Sequence, residues 1–192
     1  FPNHFSKYIL MRNLLIVILT VCAFSLSIQA QEKSEKNQKN MLKYGYGSTW
    51  HSNEMVGNYQ YGEYTRFLGK RFAVGALAGY LNADNFSDGN VTDYAFEAWK
   101  GDLNLYLLPI KNSDVSLKIG GGGSYWIGEF RSKDSTDIDF TVTDEENYGW
   151  NITVEFEVYI VNTLAIGART AFTKSVNEEN YYFFGLNAGF KF

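Results

Sequence analysis

Two groups of residues in this chain carry side chains able to do chemistry. The first is Thr49-Trp50-His51-Ser52-Asn53, where a histidine adjoins a serine. A serine nucleophile needs a base within hydrogen-bond reach, and histidine is a common one. In an extended segment, however, adjacent side chains point to opposite faces. His51 and Ser52 therefore diverge unless the chain turns there, and His51 reads as a loop or interface residue. The second group is a set of charges: Lys100, Asp102, Lys118, Glu155, Glu157 and Arg169. None of them stands beside a nucleophile with a base. Mixed charges on one strand face suit an internal ion-pair network, because buried charge is tolerated only when paired.

The elements that must position these charges are strands. One face of the fifth strand-like segment carries Val115, Leu117, Ile119, Gly121, Gly123, Tyr125 and Ile127, against Ser116, Lys118, Gly120, Gly122 and Ser124. In the sixth, Trp150, Ile152, Val154, Phe156, Val158 and Ile160 oppose Asn151, Thr153, Glu155, Glu157 and Tyr159. In the fourth, Trp99, Gly101, Leu103, Leu105 and Leu107 oppose Lys100, Asp102, Asn104 and Tyr106. In the seventh, Leu164, Ile166, Ala168, Thr170 and Phe172 oppose Gly167, Arg169 and Thr173. This is the period-two alternation of a strand. A helix through Gly120 to Gly123 would lose about 1 kcal/mol at each glycine.

Eight such segments are expected, at 42–51, 58–68, 72–82, 94–109, 115–130, 148–161, 164–175 and 181–192. The first three divide less cleanly between two faces. Connections alternate between tight (69–71, 111–114, 161–163) and longer, more polar ones (52–57, 83–93, 131–147, 176–180). Residues opposed across the tight 161–163 turn must share a face, which sets Glu155 against Arg169 with Glu157 one step away. An internal Glu155–Arg169–Glu157 cluster with Lys118 beside it is expected, acting as a structural plug or, alternatively, as a gate on a narrow ion path.

The longest polar connection carries Asp134, Asp137, Asp139, Asp144, Glu145 and Glu146 against Arg131 and Lys133. Its spacing matches no EF-hand calcium loop, so it reads as a solvated acidic loop and no metal site is expected, with bridging divalent ions as the alternative. Asp137 to Thr143 alternates like a strand, so the flanking strands are expected to project as a hairpin with an open edge.

The two ends of the sequence add compartment. Met11-Arg12-Asn13, the apolar run Leu14 to Leu26 and Ser27-Ile28-Gln29-Ala30 have the layout of a secretory signal peptide. The run is 13 residues, too short to span a bilayer, which takes roughly 20. Val21 before Cys22 departs from a lipoprotein cleavage site. Residues 1–10 are expected to be an upstream translated extension, 11–30 the signal peptide, 31–41 a polar periplasmic leader, and 42–192 one barrel domain. Cleavage after Ala30 removes Cys22, the only cysteine, leaving no disulfide. It also removes Lys7 and Arg12, taking the 17 basic residues to 15 against 21 acidic ones. That balance disfavours nucleic acid as a partner. The last segment alternates Tyr182, Phe184, Leu186, Ala188, Phe190 and Phe192 against Gly185, Asn187, Gly189 and Lys191.

That ending resembles the C-terminal signature of Gram-negative outer-membrane β-barrels. From Met41 to Phe192 the chain is similar to the small eight-stranded barrels of the OmpX and OmpA transmembrane-domain type. The resemblance implies an all-β, eight-stranded antiparallel transmembrane β-barrel in the outer membrane. Its partners would be the lipid bilayer, lipopolysaccharide and an unidentified extracellular ligand, with divalent ions, in the alternative above, bridging the acidic loop to lipopolysaccharide. The barrel assembly machinery would read Tyr182, Phe184, Phe190 and Phe192. Trp50, Tyr80, Trp99, Trp150, Tyr182 and Phe192 suit interfacial aromatic girdles. His51-Ser52-Asn53 resembles the His-x-Ser-Asn pattern of the outer-membrane lipid A deacylases but lacks the spacer that keeps His and Ser on one face. The expected function is non-enzymatic and cofactor-free, membrane-structural or surface-interacting, with a narrow channel and a lipid A-modifying enzyme as alternatives.

Overall fold

The computed structural model describes residues 39–51, 55–85, 93–133, 141–161, 163–176 and 180–192. The expected signal peptide, Cys22, most of the polar leader and Ser52 lie outside the described residues. Eight strands follow in order: β1 (Asn40–His51), β2 (Val56–Phe67), β3 (Phe72–Asn85), β4 (Asp93–Lys111), β5 (Val115–Lys133), β6 (Thr141–Val161), β7 (Leu164–Ser175) and β8 (Asn180–Lys191). Each pairs antiparallel with its neighbour, and β1 pairs with β8 from Met41↔Lys191 to His51↔Tyr181, closing the barrel. Closure gives every strand a partner on both sides, the condition for a sheet to sit in hydrocarbon.

The tight turns have local causes. Gly69, between β2 and β3, has a φ of 137°, a backbone state that side chains rarely allow. Between β4 and β5 the Asn112 side-chain oxygen accepts from the amides of Asp114 and Val115 at 2.9 and 2.7 Å. Pro109 has no amide hydrogen to give a ladder and falls where the β4–β5 register shifts between Leu107 and Ile110.

The exterior is apolar and the interior charged. Leu103 is 71% and Leu186 67% exposed, whereas Lys118, Glu155 and Glu157 are fully buried. In β4 to β8 the faces lie as the alternation requires. In β1 to β3 the inward set is Met41, Lys43 and Thr49; Tyr59, Tyr61, Glu63 and Phe67; and Ala73, Leu77 and Leu81. On the outside of β2, Gln60 accepts a hydrogen bond from the Tyr44 hydroxyl at 3.1 Å. Trp50, Tyr182, Phe172 and Trp150 follow one another around the outside of β1, β8, β7 and β6. The Phe172 ring lies 5.6 Å from Trp150 and 5.1 Å from Tyr182.

The strand boundaries at the long connections differ from the sequence reading, most around the acidic connection. β6 begins at Thr141 rather than 148, and β5 runs to Lys133 rather than 130. The acidic run Asp144-Glu145-Glu146 continues a strand because both of its faces meet water there. Thr141 to Asn147 pairs with β5, while β7 reaches β6 only from Gly149. β4 to β6 thus rise past the rim as a projecting sheet. Of the expected hairpin segment, Thr141 to Thr143 lies in β6, and residues 137–140 lie outside the described residues.

Packing predicts a contrast between adjacent glycines. A side chain at Gly122 would meet the Leu103 carbonyl and the Asn104 amide, while one at Gly123 meets nothing. Gly122→Val should lower stability by about 1–3 kcal/mol or block folding, whereas Gly123→Val should be close to neutral. Heat-modifiable gel mobility and urea unfolding of the two refolded variants check this.

Candidate functional site

Six ionisable side chains from five strands meet in the lumen. Lys43 comes from β1, Glu63 from β2, Lys118 from β5, Glu155 and Glu157 from β6, and Arg169 from β7. The register makes Lys43↔Glu63, Lys118↔Glu155 and Glu155↔Arg169 opposed pairs. The Lys43 ammonium lies 2.5 Å from Glu155, 3.1 Å from Glu63 and 3.6 Å from Glu157. Lys118 lies 2.5 Å from Glu157 and 3.3 Å from Glu155. Arg169 lies 2.5 Å from Glu63 and 3.7 Å from Glu155. The Lys43–Glu155 and Arg169–Glu63 pairs join strands that are not neighbours, so they bridge the lumen.

Three cations face three carboxylates, so the cluster is neutral as a unit. Hydroxyls occupy further lone pairs of Glu63 and Glu157, while Glu155 Oε2 accepts no hydrogen bond among the described residues. Tyr106 and Thr65 each donate to Glu63 at 2.9 Å, and Tyr159 donates to Glu157 at 3.3 Å.

The sequence-predicted residues separate into two sets. Lys118, Glu155, Glu157 and Arg169 come together, but the partners of Glu157 are Lys118 and Lys43 rather than Arg169. Lys100 and Asp102 form a pair of their own, with Lys100 donating to both carboxylate oxygens at 2.6 and 2.7 Å. That pair and Arg169 line a cavity of about 20 Å³, room for a water or so rather than a solute. Lys43 and Glu63 were missed. The parity argument that pairs Glu155 with Arg169 also pairs Lys43 with Glu63 across the first hairpin, but the mixed faces of β1 and β2 hid it.

Apolar layers lie on both sides of the charges. Toward the long connections, Tyr59, Tyr61, Leu81, Phe96, Trp126 and Phe183 pack together. Toward the short turns, Met41, Phe67, Tyr106, Leu108 and Tyr159 do the same. His51 belongs to the wider end. It is the last residue of β1, and its buried ring lies 4.4 Å from that of Tyr181. The loop or interface placement expected for it is therefore corrected. Its inward parity follows from Met41, Lys43 and Thr49. Tyr182, Phe184 and Phe190 are exposed on the outside of β8, and Phe192 is partly buried.

The fold is that of small outer-membrane β-barrels. Ail, the attachment invasion locus protein of Yersinia pestis, is similar with a TM-score of 0.56 at 13% identity, over 80% of this chain and 98% of Ail. OprG from Pseudomonas aeruginosa gives 0.58 at 13% identity, over 80% of this chain and 96% of OprG. The N-terminal β-barrel domain of Pseudomonas aeruginosa OprF gives 0.57 at 11% identity, over 81% and 98%. No family model and no curated protein sequence matches the chain. At these identities the likeness is one of fold.

Removing one carboxylate leaves the cations in excess. Glu155→Ala should destabilise the folded barrel by about 3–5 kcal/mol, and adding Lys43→Met should recover part of that loss. Urea midpoints of wild type, both single variants and the double variant, measured in the same lipid, test this coupling.

Proposed function

We propose that the protein is a non-enzymatic outer-membrane barrel. In this reading its lumen is a structural plug and its long-connection end is an interaction surface. The observation that carries the reading is the layering of the lumen. A neutral ion cluster sits between two apolar layers, which supports a lumen without a continuous aqueous path. A conducting pore needs a polar, solvated lumen from rim to rim. The apolar exterior and its aromatic belt support residence in a bilayer, with lipid and, on the outer leaflet, lipopolysaccharide as neighbours. The export signal over residues 11–30 and assembly through Tyr182, Phe184, Phe190 and Phe192 belong to the same proposal.

The surface role rests on the projecting part of β4 to β6. Its carboxylates include Glu97, Glu129, Asp144, Glu145 and Glu146, and Asp93 is opposed to Lys133 at its end, with Arg131 the other described cation. Glu97, Glu129 and Asp144 are opposed in a row across the three strands. Such a surface favours a basic or neutral ligand. Ail has been solved with the heparin analogue sucrose octasulfate, but an acidic rim disfavours a sulfated polyanion here. The inward packing of His51 against Tyr181 supports the non-enzymatic reading.

In a planar bilayer, the refolded protein from Gln31 onward should show no steady single-channel conductance. Steady conductance from protein shown to be folded would overturn the plugged barrel. Conductance that also grew in Arg169→Ala would make the ion cluster a gate.

A further inference from the structure

Two cations stand outside the neutral cluster, at the short-turn mouth of the lumen. They are Lys111, at the end of β4, and Lys191, at the end of β8. Both are partly buried. The Lys111 ammonium lies 3.8 Å from the centroid of the Phe67 ring, and the Lys191 ammonium lies 5.5 Å from the same centroid. Lys191 is also 4.4 Å from the Tyr159 centroid. One ring therefore gathers both charges, and the cluster's Lys118 lies 5.6 Å from the same centroid.

Among the described residues, neither ammonium has a carboxylate within ion-pair distance. Glu157 is the carboxylate facing them from β6, and it is held by Lys118 at 2.5 Å, Lys43 at 3.6 Å and the Tyr159 hydroxyl. Asp114, in the adjoining turn, accepts from Ser113 at 2.9 Å. The one oxygen that takes a hydrogen bond from Lys111 is the Gly69 carbonyl at 3.3 Å. Lys70 and Arg71, exposed in the β2–β3 turn, add charge of the same sign. Ser116 is opposed to Lys111 in the β4–β5 register, and opposed residues share a face.

Aromatic faces hold an ammonium in place without neutralising it. Two like charges fixed this way repel each other, and an anion between them removes the repulsion. We propose that the short-turn mouth is an oxyanion site, in which Lys111 and Lys191 take a phosphate group. Lysine suits this role because its donors rotate to meet tetrahedral oxygens. The phosphate is either free in the compartment the mouth opens to or part of a phospholipid headgroup at that rim.

The test uses ¹⁵N-labelled refolded protein in nanodiscs of zwitterionic phosphatidylcholine, titrated with inorganic phosphate against chloride at equal ionic strength. Saturable shifts at the amides of Lys111 to Ser116 and Lys191 are expected with phosphate alone. Lys111→Gln or Lys191→Gln should weaken the apparent affinity about tenfold, the loss of one charge-assisted hydrogen bond. Heat-modifiable gel mobility confirms that each variant is folded. If nanodiscs containing phosphatidylglycerol shift the same amides without added phosphate, and the double variant does not respond, the headgroup is the source. A response no larger than that to chloride, with none to phosphatidylglycerol, overturns the site. So do saturable shifts that persist in folded forms of both single variants.

Discussion

Charge pairing inside a closed cylinder is the constraint on which the rest of this structure depends. An eight-stranded barrel is only wide enough for its interior side chains to fill. A carboxylate or ammonium that points inward cannot reach bulk water and must find its counter-charge in the lumen. Lys43 and Glu155, or Glu63 and Arg169, meet only if β1, β2, β6 and β7 hold the registers observed. A slip of one residue in any of those strands sends its charge to the lipid face. The cluster thus specifies the registers of the barrel, because the misregistered alternatives leave charge unpaired.

How much of this was legible in the sequence follows from which faces were chemically distinct. In β4 to β8 the outward face is apolar over most of its length and the inward face holds the charges, so the alternation gives face and turn parity together. β2 reverses the cue. Its inward face holds Tyr59, Tyr61 and Phe67 around Glu63, while its outward face carries Asn58, Gln60 and Arg66. β3 has small or apolar residues on both faces, with Ala73, Leu77 and Leu81 inside and Phe72, Val74 and Ala76 outside. Hydrophobicity alone cannot orient either strand. That is why both lumen-bridging pairs went unseen, since each uses Lys43 or Glu63. The length of β6 was hidden for a different reason. A polarity rule built for lipid-facing strands reads Asp144-Glu145-Glu146 as loop, whereas above the membrane a strand needs only pairing with β5.

The layering of the lumen follows from the same confinement. Aromatic side chains lie toward one end and a second apolar cluster toward the other, and in the proposed plug they exclude water from the charges between them. Exclusion lowers the local dielectric, which strengthens each ion pair and also raises the cost of leaving any charge unmatched. Neutrality of the six-residue cluster is therefore what a sealed lumen would require. Lys100 and Asp102 satisfy that condition separately, as a local pair within one strand.

The two rims are released from that condition, and their charges diverge. The projecting sheet is acidic, with Tyr80 donating to Glu97 at 2.8 Å and Tyr125 donating to Glu146 at 2.5 Å. The short-turn rim is basic, with Lys39, Lys70, Arg71, Lys111 and Lys191 against Asp114 among its described residues. A lumen that must be neutral and two rims that need not be make charge at the rims available for recognition. The acidic sheet presents its carboxylates on strands, at fixed spacing and with water on both faces. The basic mouth presents Lys111 and Lys191 on aromatic rings at the edge of the short-turn apolar layer. In the proposed reading each geometry suits a ligand of opposite sign, and the barrel would separate two surfaces with opposite preferences.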